Sequence, residues 1–283
     1  MRNFLAIGTA ATNAVSHIKK YSKKYRIYSI SNQNEKNTKY NFKIEKILHP
    51  EECEKKNLDA VDKFLSGIKN NLTVFVSGAS FTSGITLRAL KPLYDRGVKI
   101  DVAYIMPERD ILSDTALLQE NAVRGILQEY ARSGIFEKIH LFSVSEIETM
   151  VGETSIMDRY SEIDSAMMST IYMIDVLKGI QPVSNTISRV GESCRIGTLG
   201  IVNLDTGEEK MFFPLKEEVE LLYHFGINEQ KLKTEKNLFR KITDIVKSRK
   251  TENRKISFAI YPTEYPDDYV YVEYYTPKTQ NFN

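Results

Sequence analysis

Two hydrophobic rhythms alternate along the first 180 residues: short unbroken apolar runs, and longer stretches where apolar residues recur every three or four positions. The short runs NFLAIG (3–8), YRIYSIS (25–31), residues 73–77, residues 99–105 and IHLFSV (139–144) read as strands. The longer stretches predict helices from Asn13 to about Tyr25, from Pro50 to Asn70, and over 84–95, 112–133 and 157–179. The second carries Leu58, Val61, Phe64, Leu65 and Ile68 on one face; the last carries Met167, Ile171, Ile174 and Leu177. Strands separated by helices of this length form parallel units with right-handed crossovers. Nearly continuous apolar strands imply a sheet covered on both faces. The expected fold class is α/β: a Rossmann-like, mostly parallel sheet with helices on both faces.

After residue 180 the pattern changes. CRIGTLGIVNL and KMFFPL are strand-like runs around Asp205-Thr206-Gly207-Glu208, a hairpin-type turn. A helical region is expected over about 216–249, then two strands, ISFAIYP and DYVYVEYYT, joined by Pro262–Asp268. The last alternates Val270, Val272 and Tyr274 against Tyr271, Glu273 and Tyr275. Residues 181–283 therefore read as a smaller α+β C-terminal domain beside a 1–180 domain, with KTQNFN as a frayed tail.

Composition narrows the function classes. The 283 residues carry a net charge of +2, which argues against a strongly basic nucleic-acid binder. Two cysteines, Cys53 and Cys194, exclude a disulfide framework and suit a reducing compartment. The four scattered histidines suggest no metal site. No apolar run reaches the ~18 residues of a membrane span, and the opening MRNFLAIGTAA, followed by polar Thr12–Asn13, reads as a strand. A cytoplasmic location is expected. The basic, glutamate-interspersed stretch 231–255 reads as a solvated helix face.

In a parallel α/β sheet, ligands bind beyond the carboxyl ends of the strands, where helix N-termini offer free N–H groups to phosphate. Two loops qualify: GTAATNAV (8–15) and SGASFTSG (77–84). The first lacks the glycines of the dinucleotide fingerprint, and Ile85 stands where a P-loop requires lysine.

The order of elements and these loops resemble the tubulin/FtsZ family. GTAATNAV resembles that family's first loop. Against its phosphate loop G-G-G-T-G-[ST]-G, Gly78, Ser83 and Gly84 match, whereas Ala79, Ser80, Phe81 and Thr82 depart. HPEE (49–52) lies at the distance of the family's Asn-Pro-Glu loop, and ENAVRGILQEY (120–130) resembles a following helix. The resemblance implies a guanine-nucleotide site at Gly8, Thr9, Ala10, Thr12, Asn13, Ser77, Gly78, Ser80, Thr82, Ser83 and Gly84. Asp114 would lie near the nucleotide and Asp175 near its base. GTP, with Mg2+, is the implied cofactor. GIVNLDTGEE (200–209) resembles the loop that family donates to the next subunit's nucleotide, which would make Asn203, Asp205 and Glu208 catalytic; read by themselves, the residues are a plain hairpin, since Asp-Thr-Gly is a turn signal. The implied function is a filament-forming cytoskeletal protein that self-associates head to tail or with a homologous partner subunit, and a GTPase if the site is active. The alternative is a non-filamentous scaffold of the same fold that has lost nucleotide binding. Phe81 bears on that choice, because an aromatic ring stands where a phosphate would need a donor.

Overall fold

The computed structural model describes residues 2–49 and 51–281. Its spine is one eleven-stranded sheet. In chain order, β1 (Arg2–Ile7) leads through α1 (Thr9–Ser16) and α2 (Ile18–Tyr21) to β2 (Tyr25–Ser31), followed by the short β3 (Asn41–Lys43). Two short helices, α3 (Glu52–Lys55) and α4 (Asp59–Leu65), precede β4 (Asn71–Ser77). A 3-10 turn (Phe81–Ile85) runs into α5 (Thr86–Asp95), then β5 (Lys99–Met106), α6 (Asp114–Arg132) and β6 (Lys138–Ser143). Helices α7 (Val144–Val151) and α8 (Arg159–Lys178) follow. The remainder is β7 (Ile196–Val202), β8 (Glu209–Met211), β9 (Glu220–Asn228), α9 (Glu229–Thr234), α10 (Leu238–Ser248), β10 (Lys255–Thr263) and β11 (Tyr269–Thr276).

The strand order is β10-β9-β11-β7-β6-β5-β4-β1-β2-β3, with β8 hydrogen-bonded to β7. From β3 to β7 every pairing is parallel. β11 is antiparallel to both its neighbours, β7 and β9, while β9 and β10 are parallel. Apart from β8 and β11, therefore, all strands point the same way, and the sheet has one edge of carboxyl ends and one of amino ends.

Both faces are covered. Leu5, Val74, Val102 and Leu141 pack with Leu65, Leu90 and Leu127 of α4, α5 and α6. On the other face Phe4, Phe75 and Ile105 pack with Val15, Met167 and Ile174 of α1 and α8. A third cluster sets Ile242 and Ile245 of α10 against Tyr223, Phe225 and Val272. This sandwiching explains why β5 and β9 are apolar almost throughout.

Several expectations are corrected. The expected helix 13–25 begins earlier, at Thr9, and breaks at His17. The expected helix from Pro50, itself outside the described residues, is two pieces with Lys56 extended between them. Asn41–Lys43 form an edge strand that the pattern does not predict, and α7 begins at Val144, the last residue of the expected strand 139–144, and continues over residues given no element. The helical reading of 216–249 fails over Glu220–Asn228, whose ELLYHFGIN is a buried strand, and holds for α9 and α10. The tail is anchored: the Gln280 N–H donates to Gln128 Oε1 at 2.7 Å, and Gln280 is 5% exposed.

Candidate functional site

The loops leaving β1, β2 and β4 converge at the carboxyl edge. Gly8 adopts φ +92°, a backbone state that glycine occupies without strain. Its N–H donates to Ile30 O at 2.8 Å, and its carbonyl accepts from the Thr12 hydroxyl at 2.8 Å. A Cβ on Gly8 would stand 3.2 Å from Ser80 Oγ, so the two candidate phosphate loops touch. Thr9 Oγ1 lies 3.1 Å from Ser31 Oγ and donates to Asn32 Oδ1 at 3.4 Å, bringing the β2 loop to the same place. Ala10 and Asn13 are exposed on α1.

The second loop folds back on itself. Ser77 ends β4, and the Gly78 N–H continues the ladder to Ile105 O at 3.1 Å. The Ser83 N–H donates to Ser80 O at 2.8 Å, and its hydroxyl to Gly78 O at 3.2 Å, so Ser83 is turned inward and is 1% exposed. Thr82 is 5% exposed. Gly78 has no space beside it, because an added Cβ would lie 1.9 Å from Tyr104 Oη. Gly84 is equally tight against Cys53 Sγ, at 2.6 Å. Phe81 packs half-buried on the core, and its carbonyl accepts from the Cys53 thiol at 3.2 Å. Arg88 holds this arrangement from outside, bonding the carbonyls of Cys53 and Lys56. The glycines here relieve crowding behind the loop.

Behind Gly78 lies a buried charge network that sequence reasoning missed. Glu120 is fully buried and accepts from Tyr104 Oη at 3.1 Å, from Arg124 Nε at 2.7 Å and from Arg109. Arg109 also donates to Asn121 Oδ1 at 2.8 Å. Burial, then the neighbouring Glu120 charge, pushes the Tyr104 phenol well above its ordinary range and keeps it a donor. Arg109 brings a cation to this edge of the sheet. Its only sequence signal is its place just after β5, in PERD.

Other expected site residues do not join this cluster. Asp114 is an exposed first-turn residue of α6, suited to the helix N-terminus. Asp175 lies at the opposite edge: it accepts from the Tyr25 hydroxyl at 2.8 Å and pairs with Arg2, the first residues of β2 and β1. The expected place beside a base at the carboxyl edge is thus replaced by a structural one, because α8 has crossed the sheet by residue 175.

Asn203, Asp205 and Glu208 occupy the β7–β8 hairpin. Asn203 Oδ1 accepts from the N–H groups of Asp205 and Thr206 at 2.8 and 3.0 Å, and Asp205 pairs with Lys241. Gly207 supplies a φ of +71°. The hairpin follows the carboxyl end of β7, the same edge as the phosphate-side loops. A head-to-tail donor must stand on the opposite edge, so the catalytic-loop reading gives way to the plain turn. The segment that does follow α8 to the amino edge is 179–195.

No family model matches the sequence, and no curated protein matches it. The structure does match solved ones. An empty FtsZ dimer from M. jannaschii superposes with a TM-score of 0.70 at 10% identity, covering 97% of this chain and 88% of that one. A GTPγS-bound CetZ2 protofilament from Haloferax volcanii gives 0.70 at 13% identity, covering 97% and 92%. GDP-form TubZ protofilaments from Bacillus thuringiensis serovar israelensis give 0.68 at 10% identity, covering 97% and 84%. The chain therefore has a tubulin/FtsZ-like fold over nearly its whole length. No helix among the described residues is long and apolar enough to cross a membrane.

Proposed function

We propose that this is a self-assembling, filament-forming protein of tubulin/FtsZ-like kind with a degenerate guanine-nucleotide site at its carboxyl edge. The observation that carries the reading is the meeting of Gly8 and Ser80, which brings the two loops together within a whole-length fold whose compared structures include protofilaments. Thr9, Thr12 and Ser80 offer hydroxyls there.

The fit to a nucleotide is partial. The Gly78 end of the cradle is filled by Tyr104 Oη, Ser83 points inward, and Glu120 places an acid behind the loop. Mg2+ finds no ready cluster, since no group of three His, Cys, Asp or Glu among the described residues is placed to hold a metal ion. The reading is therefore weak GTP binding without efficient hydrolysis. The alternative, a scaffold without nucleotide, is favoured by the packing of Phe81 on the core.

Electron microscopy at high protein concentration with and without GTP tests assembly, and a thermal-shift panel of GTP, GDP and ATP tests the site. Filaments and a shift specific to guanine nucleotides support the proposal. Monomers under all conditions overturn the filament reading; filaments with no shift leave assembly intact and remove the nucleotide.

A further inference from the structure

The overall charge of +2 conceals an uneven distribution. Residues 19–46 carry nine basic and two acidic side chains, a local charge of +7, which leaves the rest of the chain at −5. The segment opens KKYSKKYR, cations with tyrosines between them. All eight of its lysines are exposed, and among the described residues none of them forms an ion pair. Of its two acids, Glu45 is taken by Lys56. The other basic stretch, 231–255, behaves as a solvated face does: seven of its ten cations pair with carboxylates, Lys241 with Asp205 and Arg254 with Glu218 among them. The unpaired lysines border a cleft of about 490 Å³ between α1, α2, β2 and the loop before β3. Lys19, Lys23 and Arg26 line it with Thr12, Tyr25 and Tyr40, and among the described residues no carboxylate does. Asp175, which accepts from the Tyr25 hydroxyl, is paired with Arg2. β3 covers only Ser29–Ser31 of β2, so the cleft follows the open part of that strand. Lysines do guard open strand edges against pairing, but Lys19 and Lys20 belong to α2, and Lys36 and Lys39 to the loop.

We infer that this cleft binds single-stranded nucleic acid. A concave track of flexible cations without acids suits a phosphate backbone, and an exposed aromatic ring gives a base a surface to stack on. Tyr40 supplies that ring, 37% exposed, with the Lys39 ammonium 5.4 Å from its centre. The part of β2 along the cleft, Tyr25–Ser29, is about 13 Å long, which gives room to a few nucleotides. A duplex is too stiff to follow so short and concave a path. An anionic membrane would need apolar side chains to insert, and within 19–46 Tyr40 is the one large exposed apolar residue among those described. The inference depends neither on assembly nor on GTP, since the cleft shares only Thr12 with the carboxyl-edge loops. β2 and β3 close one side of the sheet, so a strand bound there leaves the carboxyl and amino edges free.

The test uses the whole chain without GTP, below any concentration of assembly, and reads the fluorescence anisotropy of labelled oligothymidylate and oligouridylate of about 20 nucleotides. Both should bind at about 50 mM salt, with log affinity falling against log salt at a slope of about −2 to −3, as three or four neutralised phosphates require. The tighter of the two shows whether DNA or RNA is preferred. Combining Lys19→Gln, Lys23→Gln and Lys39→Gln should weaken binding at least roughly tenfold and flatten the slope. Combining Lys236→Gln, Lys247→Gln and Lys250→Gln makes the same change of net charge on exposed residues of the other basic stretch. It should leave affinity within about twofold. Tyr40→Leu should weaken binding at least about fivefold with the slope unchanged, and Tyr40→Phe should not. Circular dichroism checks the fold of each variant. No binding at low salt, an equal loss in both lysine variants, or an affinity unmoved by Tyr40→Leu would overturn the inference. So would tighter binding of a duplex, of heparin or of phosphatidylserine vesicles than of either strand, which would assign the cleft to another polyanion.

Discussion

Gly78 and Phe81 fix the shape of the 77–84 loop by what they pack against. Gly78→Ala places a Cβ against Tyr104 Oη, so the phenol must leave Glu120 or the strand must shift. A loss of about 1–3 kcal/mol is expected, visible as a lowered melting temperature. Phe81→Thr should cost about 1–2 kcal/mol through lost packing, and GTP affinity measured on the same variant reports whether the ring was the obstacle. Asp164, on α8, gives a pH-dependent prediction. Burial raises its carboxyl to about 7 from an ordinary 3.8, so the folded state binds this proton more readily than the unfolded one. Its contribution favours folding below pH 3.8 and is lost as pH rises to about 7. Asp164→Asn should therefore stabilise the fold at pH 8 by on the order of 1–2 kcal/mol, visible as a raised melting temperature, and change little near pH 4. A larger gain at pH 4 than at pH 8 would contradict the sign.

At the level of elements, two polar clusters fasten pieces that the hydrophobic pattern treats separately. The end of the chain is held to α6 by Arg124 and Gln128, and to Lys216 by the Gln280 side chain, whose Oε1 accepts at 2.8 Å. Gln280→Ala removes the side-chain bonds to Lys216 but keeps the backbone bonds to α6, so it should raise hydrogen exchange at 214–219 and leave α6 and β1–β4 unchanged. Elsewhere Glu273 of β11, 1% exposed, accepts from Lys178 of α8 at 2.6 Å, from His224 at 2.8 Å and from Tyr275, which reaches His140 at 2.9 Å. Burial alone would raise the Glu273 carboxyl, but Lys178 and His224 hold it well below the carboxylate range. Burial, then Lys138, lowers His140 to about 3, so it folds neutral. That stability is present above pH 6.5 and is lost as pH falls toward 3. His140→Gln should flatten the melting temperature over this interval, and an unchanged slope would refute the assignment.

The same elements show what the sequence made legible. Strands such as 73–77 declare themselves because Val74, Phe75 and Val76 are apolar and buried on both faces of the sheet. ELLYHFGIN reads as helix because Glu220, His224 and Asn228 recur every four residues among apolar ones, and its length suits either structure. Glu120 and Arg124 look from sequence like an ordinary i,i+4 pair of a solvated helix face and Gln280 like a polar tail residue; their burial comes with partners such as Arg109 and the Gln280 carbonyl, 11 and 156 positions away. Gly8 has the positive φ that only its backbone makes easy, whereas the place of Asp175 depends on how far α8 travels and lies at the amino edge beside Arg2 and Tyr25.

Across the whole molecule, residues 1–180 and 181–283 contribute to one hydrogen-bonded sheet, and the seam between β6 and β7 is short, Ile139↔Ile196 and His140↔Gly197. A fragment ending at 180 would leave β6 as an open hydrophobic edge, so it is expected to aggregate, as sedimentation would show. The place of β11 has another consequence. It is the last strand in the chain, yet it lies between β9 and β7 and bonds to both. During synthesis, β9 and β10 can pair as they emerge but cannot dock, because the strand that joins them to the sheet has not yet been translated. Until residue 276 is available, the β7 edge and the β9 edge that β11 joins both stay open, so closure of the sheet waits on the last strand.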